Sequence, residues 1–263
     1  MNTKIIDFSK FSSLRIGPVV EVALIEDDIV PSGHIIVGSA NNLLVSPNPP
    51  PLMILSKQYD FIRLDNNRLL VGAATPGGRV VSFCKKNNIA HFEYLSKLPG
   101  TLGGMLKMNA GLKEYEIFNH LIEIRTQSGW IPKEALEYGY RRTSINEVVF
   151  EAAFDLEEGF SAQRLEMFAQ MRSNQPNEPS AGSCFKNPPG DYAGRLIEAV
   201  GLRGKRVGAM AFSDVHANFL VNYGGGTFED ALFLIKEAQT KVLENFGILL
   251  QCEVVILGDT IVT

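Results

Sequence analysis

The sequence is poor in the residues that build metal centres and disulfide frameworks. Its three cysteines, Cys84, Cys184 and Cys252, are odd in number and far apart, which fits neither paired bridges nor a zinc site. The four histidines, His34, His91, His120 and His216, are equally scattered, so no protein metal centre is expected. Positive charge is not in excess: the formal net charge is −4, and no run of Lys and Arg exceeds a pair. That balance argues against a nucleic-acid or anionic-membrane surface. No stretch approaches the roughly 18 apolar residues of a membrane span, and the opening Met1 to Lys10 lacks the apolar core of a signal peptide. A cytoplasmic location is expected. Three common motifs are also missing: no Lys-Ser or Lys-Thr closes a P-loop, no GxGxxG follows a strand, and no GxSxG surrounds a serine.

What is present is an ordinary globular composition, 45% hydrophobic and 21% charged over 263 residues, enough for two or three modest domains. Its most unusual stretch runs from Leu98 to Gly111, with Pro99, Gly100, Gly103, Gly104 and Gly111 around Thr101, Asn109 and Ala110. Glycines let a main chain approach a ligand closely, and successive N–H groups in such a loop can face an anion such as a pyrophosphate. A tight turn joining two packed elements explains the same composition. A second small-residue loop, Gly38-Ser39-Ala40-Asn41-Asn42-Leu43, follows a short apolar strand over His34 to Val37 and carries the same two readings.

Alternation predicts strands at Val20–Leu24, Met53–Leu55, Phe61–Leu64, Leu69–Ala74, Phe150–Leu156, Arg206–Phe212, Ala217–Tyr223 and Ile248–Leu257, with a hairpin over 121–131 turning at Gln127-Ser128-Gly129. Helical spacing predicts helices at Gly77–Asn88, Ser161–Ser173, Asp191–Val200 and Thr227–Phe246, the last capped by Thr227 and stopped by Gly247. Tyr140-Arg141-Arg142 is either a solvated pair of cations or a guanidinium fork for a carboxylate. Ser183, in Ala181-Gly182-Ser183-Cys184-Phe185-Lys186-Asn187-Pro188, reads as structural when taken alone. Glu253 lies inside Leu-Leu-Gln-Cys-Glu-Val-Val-Ile-Leu, where a carboxylate is costly unless paired, neutral or on an exposed strand edge.

Taken together, these motifs resemble the UDP-N-acetylenolpyruvoylglucosamine reductases. The shared stretches are Pro-Gly-Thr-Leu-Gly-Gly with Asn-Ala-Gly, the Ser39 to Leu44 loop, Tyr140-Arg141, Ala-Gly-Ser-x-Phe-Lys-Asn-Pro, the run from Ala193 through Asn222, and a glutamate before a valine near the C-terminus. The resemblance spans nearly the whole chain. It implies an α+β fold: a two-part FAD-binding unit of the vanillyl-alcohol-oxidase type plus an α/β substrate-binding domain. The expected bounds are 1–60 and 61–158 for the two FAD-binding subdomains and 159–247 for the substrate domain, with strand 248–263 returning to the FAD unit. It further implies catalytic Arg141, Ser183 and Glu253, and substrate contacts from Tyr140, Asn187 and His216. FAD would be held by Gly38, Ser39, Ala40, Asn41, Asn42 and Leu43 and by Pro99, Gly100, Thr101, Gly103, Gly104, Asn109, Ala110 and Gly111. NADPH is the implied hydride donor, and the enolpyruvyl ether of UDP-N-acetylglucosamine the implied substrate, reduced to UDP-N-acetylmuramate for peptidoglycan. A monomer is expected, of the compact type without the insertion that carries a lid tyrosine.

Two rival classes stay open on sequence grounds. Another flavoenzyme with the same cofactor fold would keep both loops but has no need of Arg141, Ser183 and Glu253 together. A non-catalytic binder of flavin or sugar nucleotide would bind ligand without turnover.

Overall fold

The computed structural model describes residues 2–258 of the chain. The fold is α+β and separates into two compact units that interleave in sequence. Residues 22–39 and 52–173 form most of the first unit, while the described residues 5–21, 40–51 and 174–258 form the second.

The first unit is built on a five-stranded antiparallel sheet in the order Gly129–Pro132, Leu121–Thr126, Glu151–Asp155, Arg68–Gly72, Ile62–Asp65. The predicted hairpin pairs Thr126 with Gly129, as its turn residues require. Glu151–Asp155 is the central strand and is buried as far as Phe154, which explains its apolar composition. Helix Gly77–Lys86 lays Val80, Val81 and Cys84 into the core with Leu69, Val71 and Phe154, and it stops at Asn87. A separate parallel set pairs Ala23 with Met53 and Ile35 with Leu52. Between these layers Arg125 is clamped by Asp28 (2.5 Å) and Glu151 (2.5 Å), its guanidinium 5.2 Å from the centroid of the Phe150 ring. Tyr59 donates to Asp28 at 2.6 Å; burial, reinforced by that carboxylate, pushes its hydroxyl up to about 12.

Gly72 closes its strand against the Tyr59 carbonyl: a Cβ there would lie 2.0 Å from that oxygen. Backbone cannot retreat as a flexible side chain can. Gly72→Ala is therefore expected to destabilise the protein by about 1–3 kcal/mol. In urea unfolding this should appear as a lower midpoint at unchanged slope.

One corner of this unit stacks two imidazoles, His91 and His120, with centroids 4.0 Å apart. His91 meets Glu157 at 2.7 Å and His120 meets Asp155 at 3.1 Å, while Arg164 is the further charge acting on Glu157. Burial, helped by the neighbouring His91, holds the His120 pKa below its ordinary 6.5 against the pull of Asp155. The unfolded chain thus takes up this proton first as pH falls. The contribution of His120 is fully present above pH 6.5 and declines as pH drops toward the folded-state value. His120→Phe is expected to lessen the loss of stability between neutral and mildly acidic pH, measured as the difference in urea midpoint across that window.

The second unit carries a four-stranded antiparallel sheet in the order Ser180–Ser183, Phe219–Asn222, Met210–Phe212, Arg206–Val207. Helix Phe228–Phe246 buries Ala231, Leu234, Ile235, Ala238 and Val242 with Leu196, Ile197, Leu202 and Phe212. Thr227 caps it by accepting the Asp230 N–H, and Gly247 ends it at φ +67. The strand expected over Arg206–Phe212 is two strands in a hairpin. Gly208 turns between them at φ +54, where a Cβ would sit 2.3 Å from the Asp230 carboxylate. The strand expected over Ile248–Leu257 is confined to Val255–Leu257, parallel to Leu43–Val45. The part of the expected returning strand beyond Gly258 lies outside the described residues. Cys84, Cys184 and Cys252 are all buried as free thiols. Among the described residues no helix is long and apolar enough to cross a membrane, and no group of three or more His, Cys, Asp and Glu could hold a metal ion.

Candidate functional site

In the first unit the two small-residue loops touch. A Cβ on Gly38 would lie 2.7 Å from Thr101 Oγ1, so only a glycine lets the first loop run against the second. Gly103 packs on the end of strand Arg68–Gly72, its absent Cβ 3.1 Å from that of Ala73, while a Cβ on Gly104 would meet nothing closer than 4.0 Å. The short helix Leu102–Lys107 starts at Thr101, whose side chain makes no capping bond. Its first N–H groups do not all face outward, as the glycine pattern had suggested: Leu102 donates to Thr75 and Gly103 to Ala73, each at 2.9 Å. Gly100 adopts φ +129 and accepts the Gly77 N–H, and Pro76 bridges Thr101, so Pro99 to Thr101 is fastened to the start of helix Gly77–Lys86.

The Asn109-Ala110-Gly111 corner is an internal brace. Asn109 is fully buried at φ +44; its amide donates to Glu116 (2.8 Å) and to the Gly139 carbonyl (3.2 Å). Ala110 donates to Met105 and accepts from Ile117. Gly111 pairs with Glu116, and a Cβ there would fall 2.3 Å from the Tyr115 carbonyl. These residues shape the loop from behind.

The same corner seats Arg141. Tyr140 and Arg141 form the two-residue turn of a hairpin in which Gly139 pairs with Arg142. Arg141 is held at φ +54, a left-handed angle costing a non-glycine residue about 1–2 kcal/mol. Its guanidinium donates to the Gly111 carbonyl at 2.9 Å and the Asn109 carbonyl at 3.4 Å and lies 5.1 Å from the Tyr140 ring centroid. Of the two adjacent arginines, Arg141 is half-buried and Arg142 exposed. Tyr140 is itself 49% exposed.

In the second unit Ser183 and Glu253 come together. Strand Ser180–Ser183 slips register against Phe219–Asn222 between Ser180 and Ser183, and Gly182 at φ +77 makes the bulge that re-aims Ser183. The next residue, Cys184, accepts the Glu253 N–H at 2.8 Å, and Phe185 bridges Cys252. Glu253 is half-buried, on neither an exposed edge nor a closed core. Asn42 fixes its other side: Nδ2 donates to the Glu253 carbonyl at 2.8 Å, and the Asn42 carbonyl accepts the Val255 N–H at 2.9 Å. The loop residues on this side are equally anchored. Ala40, buried, takes the left-handed angle (φ +51) that a glycine would take at no cost, and the Ala40 and Asn41 carbonyls accept from Ser13. Ser39 is the last residue of its segment of the first unit, and Leu43 opens its strand against Val255.

His216 is half-buried on this unit. Its Nδ1 accepts the Asn218 N–H at 3.2 Å, which leaves Nε2 to carry the proton of the neutral ring. Burial is the largest cause lowering its pKa; a backbone hydrogen bond opposes it and the Arg203 cation adds to it. Arg203 itself donates twice to the Asp214 carbonyl (2.8 and 2.7 Å), bracing the loop before His216. A Cβ on Gly194 would stand 3.3 Å from the His216 ring, so that glycine lets helix Ala193–Ala199 come up to the imidazole. Asn187 is exposed and its Oδ1 accepts the Ala193 N–H at 3.0 Å, capping the helix whose own N-cap residue, Tyr192, supplies no bond. Sequence reasoning passed over Asn42 as a brace for Glu253 and gave Asn218, within the family-like run, no role of its own. A buried amide within an apolar strand was the available signal for Asn218.

Residues 175–257 match the family model described as UDP-N-acetylenolpyruvoylglucosamine reductase, C-terminal domain. Over almost its full length the chain is similar to the UDP-N-acetylenolpyruvoylglucosamine reductase of Helicobacter hepaticus, with 46% identity over 98% of this chain and 100% of the relative. It is 49% identical to that of Campylobacter jejuni strain RM1221, covering 96% and 100%. In three dimensions it is similar to the crystal structure of UDP-N-acetylenolpyruvylglucosamine reductase from Thermus caldophilus, with a TM-score of 0.87, 28% identity, and coverage of 98% and 100%.

Proposed function

Because this chain belongs to the UDP-N-acetylenolpyruvoylglucosamine reductase family, we propose that it is an NADPH-dependent flavoenzyme that reduces the enolpyruvyl ether of UDP-N-acetylglucosamine to UDP-N-acetylmuramate. In this reading it acts as a cytoplasmic monomer in peptidoglycan precursor synthesis. The observation that supports the reading is the Glu253 N–H bond to the Cys184 carbonyl, which pairs the backbone at Glu253 with the residue after Ser183 although the two are far apart in sequence.

The main chain left bare by the loop glycines fits the close approach of a dinucleotide such as FAD. Gly38 and Gly103 keep side chains out of the contacts between the loops and the sheet end, and Gly104 leaves bare main chain beside Thr101. Gly38, Ser39, Pro99, Gly100, Thr101, Gly103 and Gly104 would hold the dinucleotide, with Asn109, Ala110 and Gly111 bracing the second loop, and Ala40 to Leu43 continuing the first. The chemistry supplied with a bound flavin is relay of a hydride from reduced nicotinamide to the terminal vinyl carbon of the substrate.

The remaining work falls to side chains. Hydride addition at the vinyl terminus builds negative charge toward the neighbouring carbon and its carboxylate, where a fixed cation stabilises it most. Arg141 is assigned that carboxylate; the carbonyls of Gly111 and Asn109 already orient its planar fork. Ser183 is assigned the proton that completes the lactyl ether. Serine is a weak acid, so its effectiveness rests on placement more than on acidity. Glu253 is assigned the role of its companion acid, and Tyr140, Asn187 and His216 contact the sugar nucleotide, His216 through its Nε2–H.

The test is direct. Purified protein should show flavin absorbance near ~450 nm and release FAD on denaturation. Under anaerobic conditions NADPH should bleach it, and the enolpyruvyl substrate should restore the colour with formation of UDP-N-acetylmuramate. Bleaching without substrate-dependent recovery would point to a different flavoenzyme, and absence of a flavin would overturn the reading.

A further inference from the structure

Asn218 stands in the apolar run Ala217-Asn218-Phe219-Leu220-Val221 and is 3% exposed. An amide in such a place costs stability unless its polar groups are all partnered. They are. Its backbone N–H goes to His216 Nδ1 (3.2 Å), and its carbonyl accepts the Cys184 N–H (2.7 Å). Its side chain closes a ring with the main chain of one residue: Oδ1 accepts the Phe185 N–H (3.0 Å) while Nδ2 donates to the Phe185 carbonyl (2.8 Å). It thus grips the segment directly after Ser183 from both sides.

The grip matters because the other side of Ser183 is loose in register. The bulge at Gly182 interrupts the ladder between Ser180 and Ser183, so strand pairing alone does not dictate how Ser183 is aimed. We infer that Asn218 is a positioning residue for Ser183: its amide locks the Cys184–Phe185 backbone and thereby fixes the serine hydroxyl. The same residue, through its backbone N–H, sets the His216 tautomer, so one residue aligns two of the proposed substrate-facing groups. Only a side chain that is donor and acceptor at once can hold Phe185 in this way. A carboxylate would set an acceptor oxygen against the Phe185 carbonyl, itself an acceptor, and an apolar isostere would leave the N–H and C=O of Phe185 unsatisfied.

The inference rests on the proposed role of Ser183 as proton donor, and the experiment separates the two. In the flavin-loaded full-length protein the two half-reactions are followed anaerobically by stopped flow. Asn218→Ala is expected to slow substrate-dependent flavin reoxidation by about 10²-fold, as a misplacement of about 1 Å does. It should raise the solvent deuterium isotope effect on that step and leave reduction by NADPH unchanged. Adding it to Ser183→Ala should cause no further slowing. Amide exchange of Phe185 should accelerate in the same variant. Asn218→Asp provides the check if alanine does not fold. Relative to wild type at each pH, it should be near normal at acidic pH, where the carboxylic acid still donates, and slow at alkaline pH. Additive slowing with Ser183→Ala, an equal loss in both half-reactions, or an Asn218→Asp defect independent of pH would overturn the inference. If Ser183→Ala itself reoxidised at the wild-type rate, the proton-donor assignment would fall, and this inference with it.

Discussion

Ser183→Ala is expected to lower the rate of substrate-dependent flavin reoxidation by about 10²–10⁴-fold, the usual effect of removing a positioned acid, with flavin reduction by NADPH untouched. The hydroxyl sits one residue beyond a left-handed Gly182 and one before Cys184, whose carbonyl receives the Glu253 N–H and whose N–H is held by Asn218. None of these contacts uses the serine side chain. Alanine therefore keeps the bulge, the Glu253 anchor and the Asn218 clamp, and the loss should appear in rate rather than in folding. The measurement is anaerobic stopped-flow absorbance beside a urea melt. A variant that reoxidised as fast as wild type would remove Ser183 from the chemistry, whereas a lowered melt with parallel loss of both half-reactions would mark it as structural.

Arg141 carries the second large effect. Truncating one partner of a desolvated, hydrogen-bonded charge pair costs about 2–5 kcal/mol, so Arg141→Ala should lower kcat/KM for the enolpyruvyl substrate by roughly 30-fold to a few thousand-fold. Arg141→Lys is expected to rescue little. A single ammonium cannot address the Gly111 and Asn109 carbonyls and a carboxylate with the fixed fork of a guanidinium. Arg141→Gly removes the strain of the left-handed turn (φ +54) and should be as inactive as alanine while melting no lower. Arg142→Ala is the control on the exposed neighbour and should change kcat/KM little. A defect of similar size at Arg142 would reverse the assignment between the adjacent arginines.

The parts of this fold that were legible in the sequence are those governed by local rules. Thr227 and Gly247 bounded their helix because a hydroxyl cap and a left-handed stop act within a turn of the chain. The hairpin at Gln127-Ser128-Gly129 was legible for the same reason. Glu253 drew attention because a carboxylate in an apolar run demands partners, and the same logic applied to Asn218 would have found it. What escaped depended on distant partners. Residues 248–254 look like strand by composition, yet the backbone there pairs with 184–186, through Glu253 to Cys184 and Lys186 to Gln251, in an irregular path that composition does not encode. Gly208 interrupts a run that otherwise alternates well, and the Asp230 carboxylate that forbids a side chain there comes from a helix far along the chain. The glycine-rich loop was located, but the direction of its N–H groups was not, because Thr75 and Ala73 claim two of them.

The buried thiols have a practical meaning. Cys184 and Cys252 flank Ser183 and Glu253 in sequence, and desolvation drives both sulfhydryls upward, Cys252 to about 11 and Cys184 well above its ordinary value. Burial does the same to Cys84, up to about 12. Thiolate, the reactive species, is therefore scarce at neutral pH wherever a native sulfur stands. Alkylating reagents have to wait for the surrounding core to open before they find it, so the pace of native-state alkylation at Cys184 and Cys252 becomes a clock for local breathing around the serine and the acid.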